Sequence, residues 1–169
     1  MEPTMMQPVM TQAPTLSYAG FWKRFVAYFI DQLIVGFVGI IIAIPFLGGI
    51  IGLGVMSASS EDADSESLMG MIMALVAAYF FFIMCFVVLV WLYYALMESR
   101  KGGTLGKLAM GIRVTDMDGD MVTFGRATGR YFAKILSGLT FGIGYIIAGF
   151  TQQKQALHDI IAKTLVLNK

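Results

Sequence analysis

The sequence has few of the residues from which catalytic and metal sites are built. Its 169 residues include one cysteine and one histidine. Cys85 cannot form an intrachain disulfide, and because it lies in an apolar run we expect it to pack as a small hydrophobic side chain. The sequence also lacks metal ligands with a recognisable spacing, a nucleophile elbow and a glycine fingerprint after a strand. These absences predict a protein that is not an enzyme and has no cofactor or metal.

Charged residues are scarce as well. They make up 14% of the chain, and hydrophobic residues make up 57%, whereas soluble domains average about 25% and about 45–50%. Such a composition leaves too little polar surface to cover a water-soluble globule, so we predict an integral membrane protein. Twelve Lys and Arg residues against eleven Asp and Glu residues give a net charge of +1. With no strong overall field, the sequence predicts no nucleic-acid partner.

Two uncharged runs are long enough to cross a membrane. No charged side chain occurs from Gln32 to Ser60 or from Ser67 to Met97. Each run exceeds the roughly 20 apolar residues that span a hydrocarbon core about 30 Å thick. We predict transmembrane helices over residues 30–56 and 68–97.

The charges beside these runs predict how the chain is oriented in the membrane. The connector between the runs has acidic residues and no Lys or Arg, whereas Lys and Arg precede the first run and follow the second. The acidic residues are Glu61, Asp62, Asp64 and Glu66, and the basic residues are Lys23, Arg24, Arg100, Lys101, Lys107 and Arg113. Since cytoplasmic loops are enriched in Lys and Arg, we expect the N-terminus in the cytoplasm.

A third apolar segment permits two topologies. Residues 135–150 are uncharged, and at 1.5 Å per residue these sixteen positions reach about 24 Å, which is short of a full crossing. The segment can form a short tilted crossing over residues 132–151, which is the simpler topology. It can also form a re-entrant hairpin that returns to its own side. A crossing would place the lysines of the C-terminal tail outside, against the usual distribution of positive charge.

Two polar segments complete the predicted fold. Residues 1–17 show no periodicity and are expected to form a disordered cytoplasmic tail, while residues 168–169 end the chain. Residues 112–124 alternate apolar and polar side chains around Asp118 and Gly119, which predicts a small cytoplasmic β-hairpin. The predicted fold is therefore an all-α integral membrane protein with two transmembrane helices, a third short crossing or re-entrant hairpin, and this β-hairpin.

Three cations recur at four-residue intervals after the predicted β-hairpin. Arg126, Arg130 and Lys134 would form one stripe of a helix, beside Tyr131 and Phe132. This pattern is typical of an interfacial helix that lies on anionic lipid headgroups. Charges that only set the topology would give the same pattern. Anionic lipids are therefore a predicted partner near these three residues, in addition to the bilayer itself.

Asp31 is a carboxylate at the edge of the first predicted membrane helix. An ionised carboxylate in hydrocarbon costs several kcal/mol unless it is paired, hydrated or protonated. Arg24 lies seven residues earlier, about 10.5 Å along the helix axis and on nearly the same face, so ideal contact is not expected. His158 and Asp159 in the amphipathic tail could close the gap. We therefore predict a charge network of these four residues, with a role in transport or structure.

Three motifs occur in order along the chain. They are Phe21-Trp-Lys-Arg-Phe-Val-Ala-Tyr-Phe-Ile-Asp31, Gly103-Thr-Leu-Gly-Lys-Leu-Ala-Met-Gly-Ile-Arg-Val-Thr-Asp116, and Gln155-Ala-Leu-His-Asp159 followed by Ala162, Thr164 and Val166. Together they resemble the RDD family of small membrane proteins, named for one arginine and two aspartates. The resemblance covers residues 18–167 as one membrane domain and identifies Arg24, Asp31 and Asp159 with those three residues. It implies a bacterial inner membrane protein, with transport of an unidentified ligand proposed and cation/proton exchange suggested for some relatives.

Two functional hypotheses follow. In the first, the protein is a homo-oligomeric cation/proton transporter or channel that uses Asp31, with a monovalent cation or proton as its ligand. Homo-oligomers are required because two or three helices cannot enclose a pathway. In the second, it is a non-catalytic accessory or scaffold protein in which Arg24, Asp31 and Asp159 form a structural polar network.

Overall fold

The computed structural model describes residues 16–59, 64–140 and 142–169. The predicted disordered tail, apart from its last two residues, lies outside these ranges, as do Glu61 and Asp62 of the acidic connector. The first two elements are long helices, α1 (Phe21–Ala58) and α2 (Ser65–Lys101). Both are long and apolar enough to cross a membrane. The two predicted transmembrane helices are therefore confirmed. The helix α1 starts nine residues earlier and ends two residues later than predicted, and α2 starts three residues earlier and ends four residues later.

Local chemistry fixes both ends of α2. The side chain of Asp64 accepts a hydrogen bond from the backbone N–H of Ser67 at 2.7 Å, which satisfies one of the free donors of the first turn. At the other end Gly102 has φ +72°, and its backbone N–H donates to the carbonyl of Met97. This left-handed position favours glycine and ends the helix.

The helices α1 and α2 form an antiparallel hairpin, which we call the membrane hairpin. The rings of Phe46 and Phe82 stack with their centroids 4.8 Å apart. Closer to the other end, a Cβ atom at Gly39 would lie 2.9 Å from the ring of Phe86, so glycine allows that ring to approach α1. Among the described residues between Gln32 and Tyr93, none is buried within the chain. The apolar surface of the membrane hairpin therefore faces outward, as expected in lipid.

Five short elements cover the end of the membrane hairpin where α1 begins and α2 ends. We call them the cap: α3 (Leu105–Ala109), β1 (Ile112–Asp116), α4 (Phe124–Leu139), α6 (Leu157–Ile161) and β2 (Thr164–Asn168). Their apolar core joins both long helices to the cap. Its buried members are Ala19, Ala27, Ala95, Ile112, Val114, Val122, Ala127 and Val166. Most of the described residues are helical, and the only strands among them are β1 and β2.

The cap contains a two-stranded antiparallel sheet whose second strand differs from the predicted one. β1 pairs with β2 over five residues, with Val114 opposite Val166. The predicted turn is present, with Gly119 at φ +93°, but the chain after it makes a single bridge between Thr115 and Met121. β2 takes the partner position because its residues Leu165–Leu167 are buried, so pairing with β1 also completes the core.

The third apolar segment returns to the end of the bundle from which it starts. After α4 come α5 (Ile143–Ile146) and a 3₁₀ turn (Ile147–Gly149). The segment that these two elements form is bent by 117° relative to α4. The chain then reaches α6, which packs on α4, and β2, which pairs with β1. A straight crossing over residues 132–151 would place α6 and β2 at the opposite end. The segment is therefore bent, and it begins and ends at the cap, so it does not form the straight crossing.

The N-terminal and C-terminal segments meet at the cap. The backbone N–H of Ala19 donates to the carbonyl of Val166 at 2.8 Å, and that of Asn168 donates to the carbonyl of Ser17 at 2.8 Å. Lys23 adds a side-chain hydrogen bond to Asn168 at 2.9 Å. The residues before α1 are thereby held against β2, so both segments lie on the same side of the membrane hairpin.

Candidate functional site

Arg24 and Asp159 form an ion pair between the start of α1 and α6. Arg24 Nη1 donates to Asp159 Oδ2 at 2.5 Å, and the carboxylate is fully buried. The guanidinium is held in place by a hydrogen bond from Nε to the carbonyl of Ala19 at 3.1 Å. The same carboxylate oxygen accepts from the backbone N–H of Ala156 at 3.1 Å. Two residues that are 135 positions apart in the sequence are thus joined directly.

Arg130 extends this pair into a network that reaches α2. Its Nη2 lies 2.6 Å from Asp159 Oδ1, and its Nη1 lies 3.5 Å from Glu98 Oε2. The other carboxylate oxygen, Glu98 Oε1, lies 2.5 Å from Lys107 Nζ and 3.5 Å from Lys134 Nζ. The network therefore connects α1, α2, α3, α4 and α6 through two buried carboxylates.

Sequence reasoning did not identify Glu98 as a site residue. The sequence feature that points to Glu98 is its position directly after the uncharged run Ser67–Met97, because an acid that is buried there needs a cation as its partner. Sequence reasoning placed Arg126, Arg130 and Lys134 on one helical stripe, either facing anionic lipid or only setting the topology, and in the structure the three have different partners. Arg126 is exposed and lies 3.4 Å from Asp116, while the other two point into the network.

The charges of the network alter the pKa of its members. Burial, together with the neighbouring cations Arg130 and Lys134, lowers the pKa of Lys107 to about 7 despite its pairing with Glu98. Burial alone would raise the pKa of Asp159, but Arg130, His158, Arg24 and the Ala156 backbone N–H hold it well below its usual range. Cations therefore crowd the site, and Asp159 remains ionised between them.

His158 is a buried hydrogen-bonding group of the network. Its Nδ1 lies 3.3 Å from Ser137 Oγ, its Nε2 lies 3.4 Å from Asp159 Oδ1, and its ring centroid is 5.2 Å from that of Tyr145. Burial lowers the pKa of His158 to about 3, although Asp159 acts in the opposite direction. The imidazole is therefore neutral near pH 7, which does not favour proton relay at this position.

Asp31 lies apart from the Arg24–Asp159 pair. It is buried and accepts hydrogen bonds from Thr104 Oγ1, from the backbone N–H of Gly106 at 2.8 Å and from the hydroxyl of Tyr93 at 3.2 Å. The carboxylate thus caps the first turn of α3 from a different helix, where a negative charge is favoured. Among the residues that the structure describes, no cation forms an ion pair with Asp31.

Gly106 allows α3 to approach α1 closely enough for this capping. A Cβ atom at Gly106 would lie 2.1 Å from the carbonyl oxygen of Ala27 and 3.0 Å from Asp31 Cγ. Any other residue would push α3 away from α1. The central motif noted in the sequence therefore supplies both the small residue and the donors, Thr104 and Gly106, that Asp31 requires.

The charge network and Asp31 border one cavity of about 300 Å³. Its charged lining residues come from α1, α3 and α4, and its remaining lining is largely aromatic or apolar. The lining residues are Phe21, Arg24, Phe25, Tyr28, Asp31, Tyr94, Lys107, Arg130, Lys134, Gly142, Tyr145, Ile146, Ala148, Ala156, His158 and Val166. Three of the four predicted site residues, Arg24, Asp31 and His158, thus line the same cavity. The fourth, Asp159, lies behind them and is paired with Arg24 and Arg130.

The described part of the chain contains no group of three or more His, Cys, Asp or Glu side chains that could hold a metal ion. The acidic turn that follows β1 is occupied by its own backbone: Asp116 Oδ1 accepts from the N–H groups of Asp118 at 3.0 Å and Asp120 at 2.9 Å. This is the arrangement of a side-chain-stabilised turn.

The chain is similar in sequence to a known protein family. The model of the RDD family matches residues 18–163. This chain belongs to the RDD family. It is 39% identical over 152 residues to "Uncharacterized protein YxaI" of Bacillus subtilis (strain 168), covering 89% of this chain and 97% of that protein. It is 28% identical over 161 residues to "Uncharacterized membrane protein YteJ" of the same organism, covering 92% and 84%. No solved structure matches the chain.

A third relative matches a shorter region. "Uncharacterized protein RP437" of Rickettsia prowazekii (strain Madrid E) is 40% identical over 68 residues, which cover 40% of this chain and 37% of that protein. In the RDD protein described here, the residues identified with the family name have two different environments. Arg24 and Asp159 form an ion pair, whereas Asp31 caps α3.

Proposed function

We propose that this RDD protein is a non-catalytic accessory or scaffold protein of the bacterial cytoplasmic membrane. Its charge network fixes the cap to the membrane hairpin, and the cap presents a folded surface beside the bilayer. The observation that carries the proposal is the environment of Asp31, whose carboxylate accepts three hydrogen bonds from α2, α3 and the residue before α3. A carboxylate with these partners is used to position α3.

A carrier role would require Asp31 to exchange these partners for an ion. Gly106 lies against the carboxylate, and Thr104 is fully buried. Releasing Asp31 would leave buried donors without acceptors, which costs about 1–3 kcal/mol for each group. The packing therefore supports a structural role for Asp31 more than a carrier role.

A homo-oligomeric cation/proton transporter or channel is the second candidate. The observation in its favour is that Asp31 borders a cavity at the end of two membrane-spanning helices. The outward-facing apolar surfaces of α1 and α2 could be covered by further copies of the chain, which would complete a pathway. A monovalent cation or proton would then bind at Asp31.

Two substitutions around Asp31 distinguish the candidates. Asp31→Asn changes the carboxylate, whereas Thr104→Val removes one of its donors and leaves its charge. If the role is structural, both variants lower cap stability, and proteoliposomes with a pH-sensitive dye inside show no ion-driven proton movement for native or variant protein under Na⁺, K⁺ or Li⁺ gradients. If Asp31 is a carrier, native protein moves protons, Asp31→Asn remains folded and inactive, and Thr104→Val retains activity. Asp118→Asn, in an exposed turn, is the matched control for losing a carboxylate.

We further propose that the cap lies in the cytoplasm. Basic residues are concentrated at the cap end of the membrane hairpin, whereas Asp64 and Glu66 lie at the other end, and Lys and Arg are enriched in cytoplasmic loops. Single cysteines in a Cys85→Ala background test this with a membrane-impermeant maleimide. Ser65→Cys should be labelled in intact cells, and Leu16→Cys and Lys169→Cys only after permeabilisation. The reverse pattern would overturn the orientation, and different labelling of positions 16 and 169 would contradict the re-entrant topology.

A further inference from the structure

The cavity beside the charge network has more cations than carboxylates. Four cationic side chains line it or reach it: Arg24, Lys107, Arg130 and Lys134. They share the two carboxylates of Glu98 and Asp159. Asp31 is a third carboxylate, so four cations face three carboxylates when Lys107 is protonated. Lys107, with a pKa of about 7, is partly protonated near pH 7, where His158 is neutral.

Several guanidinium N–H groups at this cavity have no acceptor. Among the described residues, Arg24 Nη2 and Arg130 Nε are buried without a hydrogen-bond partner, and Arg130 Nη1 has only its ion-pair contact with Glu98 Oε2 at 3.5 Å. Arg130 is only 1% exposed, so water in the bulk does not satisfy these groups. Buried polar groups in native proteins are almost always paired. Unpaired donors on two arginines that border one cavity therefore indicate an acceptor that binds between them.

We propose that this cavity binds the phosphate group of an anionic phospholipid, with Arg24 and Arg130 as donors and Lys134 as an additional cation. The planar guanidinium group matches the geometry of phosphate oxygens and can donate two parallel hydrogen bonds. A phosphate would also offset the excess positive charge. Lys134 lies close to the lining aromatic side chains, with Nζ 4.4 Å from the centroid of the Tyr94 ring.

The rest of the cavity favours a lipid as the source of the phosphate. Phe25, Tyr28 and Ile146 line the cavity and are 49%, 48% and 50% exposed. From this rim α1 continues into its outward-facing apolar run, where Leu33 and Phe37 are exposed. A headgroup bound in the cavity can therefore extend its acyl chains along α1 within the same bilayer. Aromatic side chains commonly lie at this level of the membrane.

The position of Arg126 provides a matched comparison within α4. It carries the same charge as Arg130 but is exposed and paired with Asp116 outside the cavity. General attraction of α4 to an anionic surface would depend on Arg126 as much as on Lys134, at about 1 kcal/mol per cation. A defined phosphate site would depend on Lys134 and not on Arg126.

Native mass spectrometry of the full-length protein in a neutral detergent tests the site. Phosphatidylglycerol and phosphatidylcholine with the same acyl chains are added separately, and inorganic phosphate is used as a competitor. Phosphatidylglycerol should be retained in preference to phosphatidylcholine. Lys134→Gln should weaken its retention about fivefold, the effect of one cation near a lipid phosphate. Lys134→Arg should restore retention, and Arg126→Gln should leave it unchanged.

Several outcomes would overturn the proposal. Equal retention of the two lipids would show that lipid binding is nonspecific. Equal losses of phosphatidylglycerol retention in Lys134→Gln and Arg126→Gln would show the same. Strong binding of inorganic phosphate without any preference for phosphatidylglycerol would assign the cavity to a free oxyanion and overturn the lipid assignment. The lipid comparison uses native protein, so it remains decisive even if Lys134→Gln fails to fold. Lipid binding here is compatible with either proposed function.

Discussion

The membrane hairpin and the cap are stabilised by different surroundings. In the described part of the hairpin from Gln32 to Tyr93 no residue is buried within the chain, whereas the cap and the helix ends beneath it contain both an apolar core and the ion-pair network. Side chains of the hairpin are not covered by this chain, as expected of a surface that faces lipid. Side chains of the cap are covered by this chain itself, so their packing and pairing decide its stability.

The two regions should therefore respond differently to equivalent substitutions. A buried ion-pair network is costly to desolvate, and removing one member leaves its partners charged and unpaired. An outward-facing apolar residue has no such partner within the chain. Trp91 can report on cap docking, because its ring centroid lies 6.1 Å from that of Phe124 and 6.3 Å from that of Phe132. A Trp22→Phe background leaves Trp91 as the single tryptophan.

The largest expected effect is that of Asp159→Asn. Arg24 and Arg130 would lose their shared carboxylate, and breaking a buried ion pair in this way costs about 3–5 kcal/mol. Thermal unfolding in detergent, followed by Trp91 fluorescence, measures the loss. Asp118→Asn should stay within about 0.5 kcal/mol of the native protein, as is usual for surface substitutions. Equal stability of the two variants would mean that the network does not hold the cap in place.

A pair of isoleucine substitutions compares the two regions directly. Ile112 is fully buried in the cap, and Ile51 is 61% exposed in the membrane hairpin. Ile112→Ala should lower cap stability by about 2–5 kcal/mol because it leaves a cavity, and Ile51→Ala should change it by less than about 0.5 kcal/mol. Both are read by Trp91 fluorescence. A comparable loss in Ile51→Ala would show that this face of the hairpin is covered by protein, as in an oligomer.

Gly106→Ala tests the contact that positions α3. The added methyl group would clash with the Ala27 carbonyl and crowd Asp31, and overpacking of this kind costs about 1–3 kcal/mol. Gly129→Ala is the control within α4, since a Cβ atom there meets nothing within 4 Å. It should be neutral or stabilise by about 0.5–1 kcal/mol. Tolerance of alanine at Gly106 would contradict close packing of α3 on α1.

The smallest expected effect is a dependence on pH through His158. Its folded-state pKa of about 3 lies below the ordinary histidine value of 6.5 because the imidazole is buried, so the unfolded chain binds the proton more readily. Cap stability should therefore fall as the pH decreases below about 6.5, by about 1 kcal/mol between pH 6.5 and 5.5, and this loss should end near pH 3. Lys107, with a pKa of about 7, is largely protonated throughout that window.

His158→Gln isolates this contribution. Glutamine can hydrogen-bond near Ser137 but does not titrate. The cap stability of the variant should therefore change less between pH 6.5 and 5.5 than the cap stability of the native protein. Unfolding at both pH values is measured with the same fluorescence signal. An unchanged pH dependence in the variant would assign the effect to other groups of the network.

Some features of the site were within reach of sequence reasoning. Arg24, Asp31, His158 and Asp159 stood out because charged or titratable residues beside apolar segments need partners. Glu98 did not stand out, because at the end of a predicted helix it looks like an ordinary flanking charge. Its burial depends on Lys107 and Arg130, which arrive from other elements. The pairing of Arg24 with Asp159 was foreseeable as a possibility, but the separate role of Asp31 was not.

The sequence by itself determined the two membrane helices and the turn at Gly119, because apolar run length and backbone preference act between neighbouring residues. Only the tertiary structure decided that β2 pairs with β1, that the third segment returns to its own end, and that Asp31 caps α3. These choices depend on residues far apart in the chain meeting in one place, where burial of Leu165–Leu167 and pairing of Arg24 with Asp159 stabilise one arrangement over its alternatives.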